Sequence, residues 1–372
     1  MKENIFTGLL ELDGRHGGTL RQLSLDLERR PDDTKVPPHL IAPYKLREGS
    51  LIECSLKRGH RGQREIDTIL TINGLKPEDW KKIEDFSRRT AIDPNERIKL
   101  TTTGSDYSMR VVDLLCPVGK GQRALIVSPP KAGKTMLMQQ FALAVSTNHP
   151  EIELIVLLVD ERPEEVTDIR RSVKGEVFAS SNDSDRDSHV RLAKLVLEYA
   201  KRKAEVGKDV VMLLDSLTRM GRAFNAAQRS SGRTMSGGVD IRALEIPKKI
   251  FGAARGLEGA GSLTIIATAL IETNSRMDEL IFQEFKGTGN MELVLDRDLA
   301  DLRIFPAINI PKSGTRREEL LFGPDTLKYQ ALRRALHRMK PKEAMLTLLK
   351  ALDKFPTNQK LLSHIPALKD EE

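Results

Sequence analysis

Cysteine is nearly absent: the 372 residues hold only Cys54 and Cys116, with no CxxC pair and no Cys/His spacing suited to zinc. A disulfide-stapled scaffold and a zinc module are therefore excluded, and a reducing cytoplasm is the expected compartment. Aromatic residues are scarce, at 4% with a single Trp. Before Trp80 only Phe6 and Tyr44 occur, which leaves the N-terminal part few rings on which bases could stack. No apolar run approaches the roughly 18 residues of a membrane helix. Met1-Lys2-Glu3-Asn4 is not followed by the apolar stretch of an export leader, so neither membrane insertion nor export is expected. What is present is a modest basic excess, 60 Lys and Arg against 53 Asp and Glu for a net +7. That balance permits a nucleic-acid partner as readily as an ordinary solvated surface. The length leaves room for two domains.

The chain is organised around Ser128-Pro129-Pro130-Lys131-Ala132-Gly133-Lys134-Thr135, which follows the apolar run 124–127 and opens a periodic segment over 136–148. Strand, tight loop and helix in that order leave the first N–H groups of the helix free to converge on an anion. Gly133 lets the backbone approach closely, Lys134 reaches the terminal phosphates, and the Thr135 hydroxyl ligates Mg2+. Ser128 stands where the usual motif has its first glycine, so the Pro129-Pro130 pair must shape the loop. A Lys-rich turn is the plainer alternative. Gly-Lys-Thr at a strand-to-helix junction, with Leu137, Phe141 and Val145 repeating behind it, favours the phosphate cradle.

Downstream, strand and helix alternate, the pattern of an α/β fold with a mostly parallel sheet covered on both faces. The apolar run 154–159 ends in Asp160-Glu161-Arg162-Pro163, and the run 210–214 ends at Asp215-Ser216. Carboxylates so placed lie at the ligand edge of such a sheet. Hydrolysis needs a metal clamp and an oriented water, which assigns the Mg2+ shell to Asp215 and the attacking water to Glu161. An acid ending a buried strand often does no more than meet solvent; beside a phosphate loop the catalytic reading is stronger. Residues 188–206 predict a helix whose Leu192, Leu195, Val196 and Tyr199 face the core.

Residues 1–73 read as a compact β barrel, with strands predicted at 7–12, 51–56 and 65–72 between turn-rich pieces. Lys57, Arg58 and Arg61 crowd one turn, suited equally to a phosphate backbone and to solubility. Residues 74–110 read as a connector in which Trp80 is a packing anchor rather than a base platform. Three later segments carry cations on polar stretches: 228–240 with Arg229, Arg233 and Thr234, 272–278 with Arg276, and 286–290 with Lys286. Each suits a phosphate chain. Ser313-Gly314-Thr315-Arg316-Arg317 offers an arginine able to reach a neighbour's nucleotide, although such a residue serves a surface ion pair equally well.

In this order, Pro-Pro-Lys-Ala-Gly-Lys-Thr at 129–135, Val-Asp-Glu-Arg-Pro-Glu-Glu-Val-Thr at 159–167, Leu-Leu-Asp-Ser-Leu-Thr-Arg at 213–219, Phe-Lys-Gly-Thr-Gly-Asn-Met-Glu-Leu at 285–293 and Ser-Gly-Thr-Arg at 313–316 resemble the bacterial transcription termination factor Rho family. The resemblance implies a RecA-like P-loop ATPase and motor domain over 111–372, preceded by an OB-fold RNA-binding barrel. It further implies a homohexameric ring with ATP at each interface and single-stranded RNA through the centre, an ATP-dependent translocase or helicase that releases nascent RNA from RNA polymerase. Carried over by residue, Lys131, Lys134 and Thr135 bind phosphates and Mg2+, and Pro130, Ala132, Gly133, Met136 and Arg162 line the nucleotide site. Glu161 activates water, Asp215 supports the metal, Phe305 packs on adenine, and Arg316 with Arg303 nearby completes the neighbour's site. The segment 228–240 and Arg276 then correspond to RNA-gripping pore loops.

The N-terminal part departs from that pattern. Where the family has Gly-Phe-Gly-Phe-Leu-Arg, this chain has Gly14-Arg15-His16-Gly17-Gly18-Thr19-Leu20-Arg21, and Lys35 stands where a Tyr follows Pro-Asp-Asp. Base stacking is worth roughly 1–3 kcal/mol per base, so weaker RNA loading with more reliance on phosphates is expected. Two other readings are a rotary ATP synthase-like subunit and an RNA-binding protein with a silent nucleotide site. The segment 228–240 argues against the first, and intact Lys134, Thr135, Glu161, Asp215 and Arg316 against the second.

Overall fold

The computed structural model describes residues 5–366 apart from 15, 60–61, 103, 105–106, 228–237 and 241. Arg61, Arg229, Arg233 and Thr234 lie outside the described residues. Strands β1 (Ile5–Leu12), β2 (Gly18–Arg21) and β3 (Thr34–Val36), a turn of helix α1 (Pro38–Ile41), and strands β4 (Leu51–Arg58) and β5 (Arg64–Ile72) form the first unit. The strands close into a barrel in the order β1-β2-β3-β5-β4, that of an OB fold. β1 pairs antiparallel with both β2 and β4, and a short parallel contact joins β3 to β5.

Leu10, Leu20, Val36, Ile52, Ile66 and Ile72 fill the barrel, and Trp80 at the end of α2 (Pro77–Trp80) seals it. Trp80 is fully buried, donates from Nε1 to the Lys45 carbonyl at 3.2 Å, and carries the Arg47 guanidinium 4.2 Å above its ring. It is the expected anchor. Phe6 and Tyr44 pack half-buried on the same core, so no described aromatic residue of the barrel stands free for stacking.

After the barrel come β6 (Ala91–Ile92), β7 (Arg97–Ile98) and α3 (Ser108–Leu115), and β8 (Val118–Gly119) pairs back on β7. Then β9 (Arg123–Ser128), α4 (Lys134–Asn148), β10 (Glu153–Glu161), α5 (Pro163–Ser172), β11 (Glu176–Ser181), α6 (Arg186–Glu205), β12 (Asp209–Asp215) and α7 (Leu217–Ala227) alternate as expected. They are followed by α8 (Glu245–Phe251), β13 (Arg255–Leu257), β14 (Ser262–Leu270), α9 (Arg276–Phe285), β15 (Met291–Val294), α10 (Arg297–Asp301) and β16 (Gly314–Thr315). Helices α11 (Glu319–Phe322), α12 (Thr326–His337), α13 (Pro341–Lys354) and α14 (Asn358–Ser363) complete the chain.

The main sheet runs β11-β10-β12-β14-β9-β15-β16, with β13 and β6 attached beside β14. All but β16, β13 and β6 are mutually parallel, which brings the carboxyl ends of β9, β10 and β12 to one edge. Their unbroken apolar runs follow from burial on both faces. Ala124 and Ile126 point toward Phe141 and Val145 of α4, while Leu125 and Val127 join the cluster containing Leu192, Val196 and Tyr199 of α6. Helix α6 starts under an Asp185 cap on the Ser188 N–H at 2.8 Å.

The barrel sits directly on α6. Leu9 and Leu27 enter the core cluster of the sheet, and Arg191 donates to the Leu27 carbonyl at 2.9 Å and pairs with Glu11 at 3.4 Å. At Gly49, φ is +75° and a Cβ would stand 2.4 Å from the Glu198 carbonyl carbon, so only glycine permits this approach.

Candidate nucleotide site

Beyond Ser128 the chain makes a turn in which Lys131 (φ +65°) and Gly133 (φ +93°) both take left-handed conformations. Gly133 is the N-cap of α4, and no side chain caps that end, so the first N–H groups of the helix remain available to an anion. The proline pair and a left-handed Lys131 thus shape the loop where the first motif glycine is missing.

Lys134 projects from the first turn of α4 onto the strand-end acids. Its Nζ donates to both Asp215 oxygens, at 2.5 and 2.7 Å, and lies 3.5 Å from Glu161 Oε1. Thr268 on β14 donates to Asp215 Oδ1 at 2.7 Å and fixes that carboxylate. Glu161 is aimed by an irregularity of β10: the register with β11 shifts between Val159 and Glu161, and Asp160 there has φ +57°. Arg219 on α7 spans the bulge, donating to the Asp160 carbonyl at 2.8 Å and standing 2.9 Å from Glu161 Oε2. Glu161 is buried, yet no described residue donates a hydrogen bond to either of its oxygens. Burial raises its carboxyl above the ordinary value and nearby Asp215 adds to this, against the pull of Lys134 and Arg219.

Lys134, Glu161 and Arg219 border a cavity of about 510 Å3 that is also lined by Pro130, Lys131, Thr135 and Arg162. Gly133 and Met136 separate it from a cavity of about 330 Å3 lined by Ala132, Leu137, Leu295 and Phe305. One compartment is charged and the other apolar, as a phosphate chain carrying a flat base would require. Phe305 is 47% exposed, and its ring lies 3.6 Å from where a Cβ on Gly133 would be. Arg303, exposed with φ +59°, ends the turn before it. The Thr135 hydroxyl and the Asp215 carboxylate are the hard oxygen donors that suit Mg2+, which takes few protein ligands beside substrate phosphates. No cluster of three or more His, Cys, Asp or Glu suited to a metal occurs among the described residues.

Arg316 does not join this site. Its N–H bonds the Asn290 carbonyl at 2.8 Å, and Asn290 in turn accepts from the Arg123 N–H at 2.8 Å, at the opposite end of β9 from the phosphate loop. Exposed there, it borders a separate cavity of about 490 Å3. Arg276 is the first residue of α9 rather than part of a loop, and Lys286 is the C-cap of the same helix. Ten steps along the helix place them about 15 Å apart. Asp278 holds the start of α9 by accepting from Arg222 and Thr273. On the barrel, exposed Lys57 is 3.7 Å from Asp67, while Arg58 is exposed with no ion pair among the described residues. The sequence alone pointed to no role for Arg219 or Thr268; Arg219, four residues after Asp215 on the following helix, was the legible one.

A phosphate loop and two strand-end acids on this sheet order define a RecA-type P-loop nucleotide-binding domain. The profile of the ATP synthase alpha/beta family, nucleotide-binding domain, matches residues 108–315. The chain belongs to the transcription termination factor Rho family. It is 49% identical to transcription termination factor Rho of Aquifex aeolicus over 97% of this chain and 84% of that protein. With the same factor of Pseudomonas aeruginosa it shares 50% identity over 94% of this chain and 85% of that protein. Among solved structures, an ATPase from the type III secretion system of pathogenic bacteria superposes with a TM-score of 0.58 at 21% identity, covering 66% of this chain and 69% of the other. The assembled ATPase EscN of enteropathogenic E. coli gives 0.56 at 21% identity, covering 76% and 63%. These two likenesses concern the fold alone.

Proposed function

We propose that this protein is an ATP-dependent RNA translocase that terminates transcription by pulling nascent RNA from RNA polymerase. The observation that carries the reading is Lys134 held between Asp215 and Glu161 at the mouth of the phosphate loop. With nucleotide bound, Lys134 would turn from Asp215 to the terminal phosphates, and Asp215 with the Thr135 hydroxyl would hold Mg2+, which would supply charge neutralisation at the phosphates. Glu161, ion-paired with Arg219 and with a raised proton affinity, orients the attacking water and takes its proton. Arg219 keeps that carboxylate aimed, and the base packs beside Phe305.

Arg316, too far from its own phosphate loop, stabilises transition-state charge in the site of the next subunit, with Arg303 near the same boundary. This requires a closed ring of copies, six by the family pattern, with RNA passing the segment 228–240 and the Arg276 end of α9. The barrel over 1–73 loads RNA, the stretch 74–110 connects, and 111–372 is the motor. A cytoplasmic location fits these partners. The deciding measurement is ATP hydrolysis by purified protein without RNA, with cytidine-rich RNA and with mixed-sequence RNA in low salt. Stimulation by RNA is expected; a fast rate indifferent to RNA would move the protein to a rotary-type ATPase. Glu161→Gln should lower turnover at least about 100-fold while ATP still binds.

A further inference from the structure

Much of the basic excess of the chain lies in its C-terminal part. Residues 326–366 contain nine Lys and Arg and only two acids, Glu343 and Asp353, and the stretch taken to residue 372 has ten Lys and Arg against five acids, a net +5 within the net +7 of all 372 residues. The barrel segment 1–73, by contrast, has twelve Lys and Arg against eleven Asp and Glu. Helices α12, α13 and α14 pack on one another and on the sheet through Leu332, Leu336, Met345, Leu348, Leu352 and Leu361. Their outer surface carries Arg334, Arg338, Lys340, Lys342, Lys350 and Lys354, all exposed and none in an ion pair among the described residues.

Helix electrostatics accounts for only part of this set: Arg334 in the last turn of α12, Arg338 at its C-cap and Lys354 in the last turn of α13 stand where a cation is favoured. Lys340 is the N-cap of α13 and Lys342 follows Pro341 in its first turn, where the helix dipole favours acids. Lys342, Leu346, Lys350 and Lys354 then recur every four residues, one ridge about 18 Å long. A continuous exposed ridge of cations without ion-pair partners, two of them set against the dipole, points to a partner of opposite charge. Arg110 ties the far end of the ridge to α3 through the Leu352 and Phe355 carbonyls, so the surface is rigidly joined to the nucleotide-binding core.

We propose that the α12–α13 face is a further contact surface for single-stranded RNA, bound through its phosphates without base selectivity. The proposal rests on the RNA-translocase reading above. It places the electrostatic part of RNA affinity on the helical end of the chain, whereas the barrel has little net charge and no free aromatic platform among its described residues.

The test uses the full chain with Arg338→Gln, Lys342→Gln, Lys350→Gln and Lys354→Gln combined, beside a variant with the three lysines changed to arginine. Binding to a mixed-sequence single-stranded RNA is titrated over a range of salt. Every phosphate left without its cation should reduce the salt slope by about 0.7, so the glutamine variant should have a slope smaller by up to about 3 while the arginine variant keeps that of wild type. Photo-crosslinks from RNA should fall on α13. RNA binding with the same slope in wild type and glutamine variant would overturn this proposal and leave the translocase reading intact. No RNA binding by wild type would overturn the translocase reading as well. Charge-dependent binding to phosphatidylglycerol vesicles with unaltered RNA binding would overturn it in favour of a lipid partner.

Discussion

Arg316→Ala offers the sharpest test of the site across subunits. Arg316 is moored at the Arg123 end of β9, and the phosphate loop begins after Ser128 at the other end. Five strand steps at about 3.3 Å each put roughly 16 Å between the two, more than an arginine side chain spans. The guanidinium therefore cannot serve its own nucleotide. If it serves the next subunit's, Arg316→Ala and Glu161→Gln break different halves of each interface. Loss of such an arginine lowers turnover by about 1,000-fold or more. Random mixing of the two variants restores about a quarter of the interfaces, those pairing an intact Glu161 with an intact Arg316 in a head-to-tail contact. Turnover at limiting ATP, so that each site acts singly, should rise from background toward about a quarter of wild type in equimolar mixtures. Mixtures as inactive as both parents across all ratios, with subunit exchange verified by labelled chains, would refute the argument.

Removing the Phe305 ring should weaken ATP binding about 5- to 100-fold, the range for loss of one stacked base, with kcat little changed, as read from KM and direct nucleotide titration. Gly49→Ala should destabilise the protein by about 1–3 kcal/mol, because a Cβ meets the Glu198 backbone and the residue has φ +75°; calorimetry reads the loss. Glu48 is raised to about 7, chiefly by burial and with smaller contributions from Glu11 and Glu198, against the hydrogen bond its carboxylate accepts from the Leu12 N–H at 2.7 Å and the weaker pull of Arg202. An acid with a raised value in the folded state binds its proton more tightly there, so stability is highest below its unfolded value of 4.5 and declines as pH climbs to about 7. Denaturation series across that window should show the decline in wild type and its loss in Glu48→Gln. For Glu161 the raised value places the alkaline-going rise of kcat/KM above that of an ordinary carboxylate, and Arg219→Gln should shift it further up.

The parts of the site that lie in one continuous stretch could be read from the chain alone. Gly133-Lys134-Thr135 after an apolar run, and Glu161 and Asp215 at the ends of two others, are local patterns set by burial of a strand on both faces. Long barrel strands such as β1, β4 and β5, buried mainly on the face toward the barrel, were legible as runs bounded by turn-rich pieces. β2 and β3, with four and three residues, are too short to show a period, and they depend on pairing with partners distant in sequence. Thr268 enters the site only through strand order, which no local pattern encodes, whereas Arg219 follows Asp215 by four residues on the next helix. The turn around Asp160 was equally hidden, since the bulge exists only against β11. Arg276 and Lys286 looked alike as cations near glycines and polar residues, yet α9 separates them because Ser275 caps its start.

Strand β9 carries the phosphate loop at one end and, through Asn290, the mooring of Arg316 at the other. A hydrogen-bonded strand in the middle of a sheet scarcely stretches, so it acts as a push-rod. Were Arg316 to serve a neighbouring copy, a displacement imposed on the loop by nucleotide would arrive at Arg316 with little attenuation, and each copy would report the state of its own site mechanically to that neighbour. Firing order around a ring would then be set by the stiffness of six residues, without a separate signalling element.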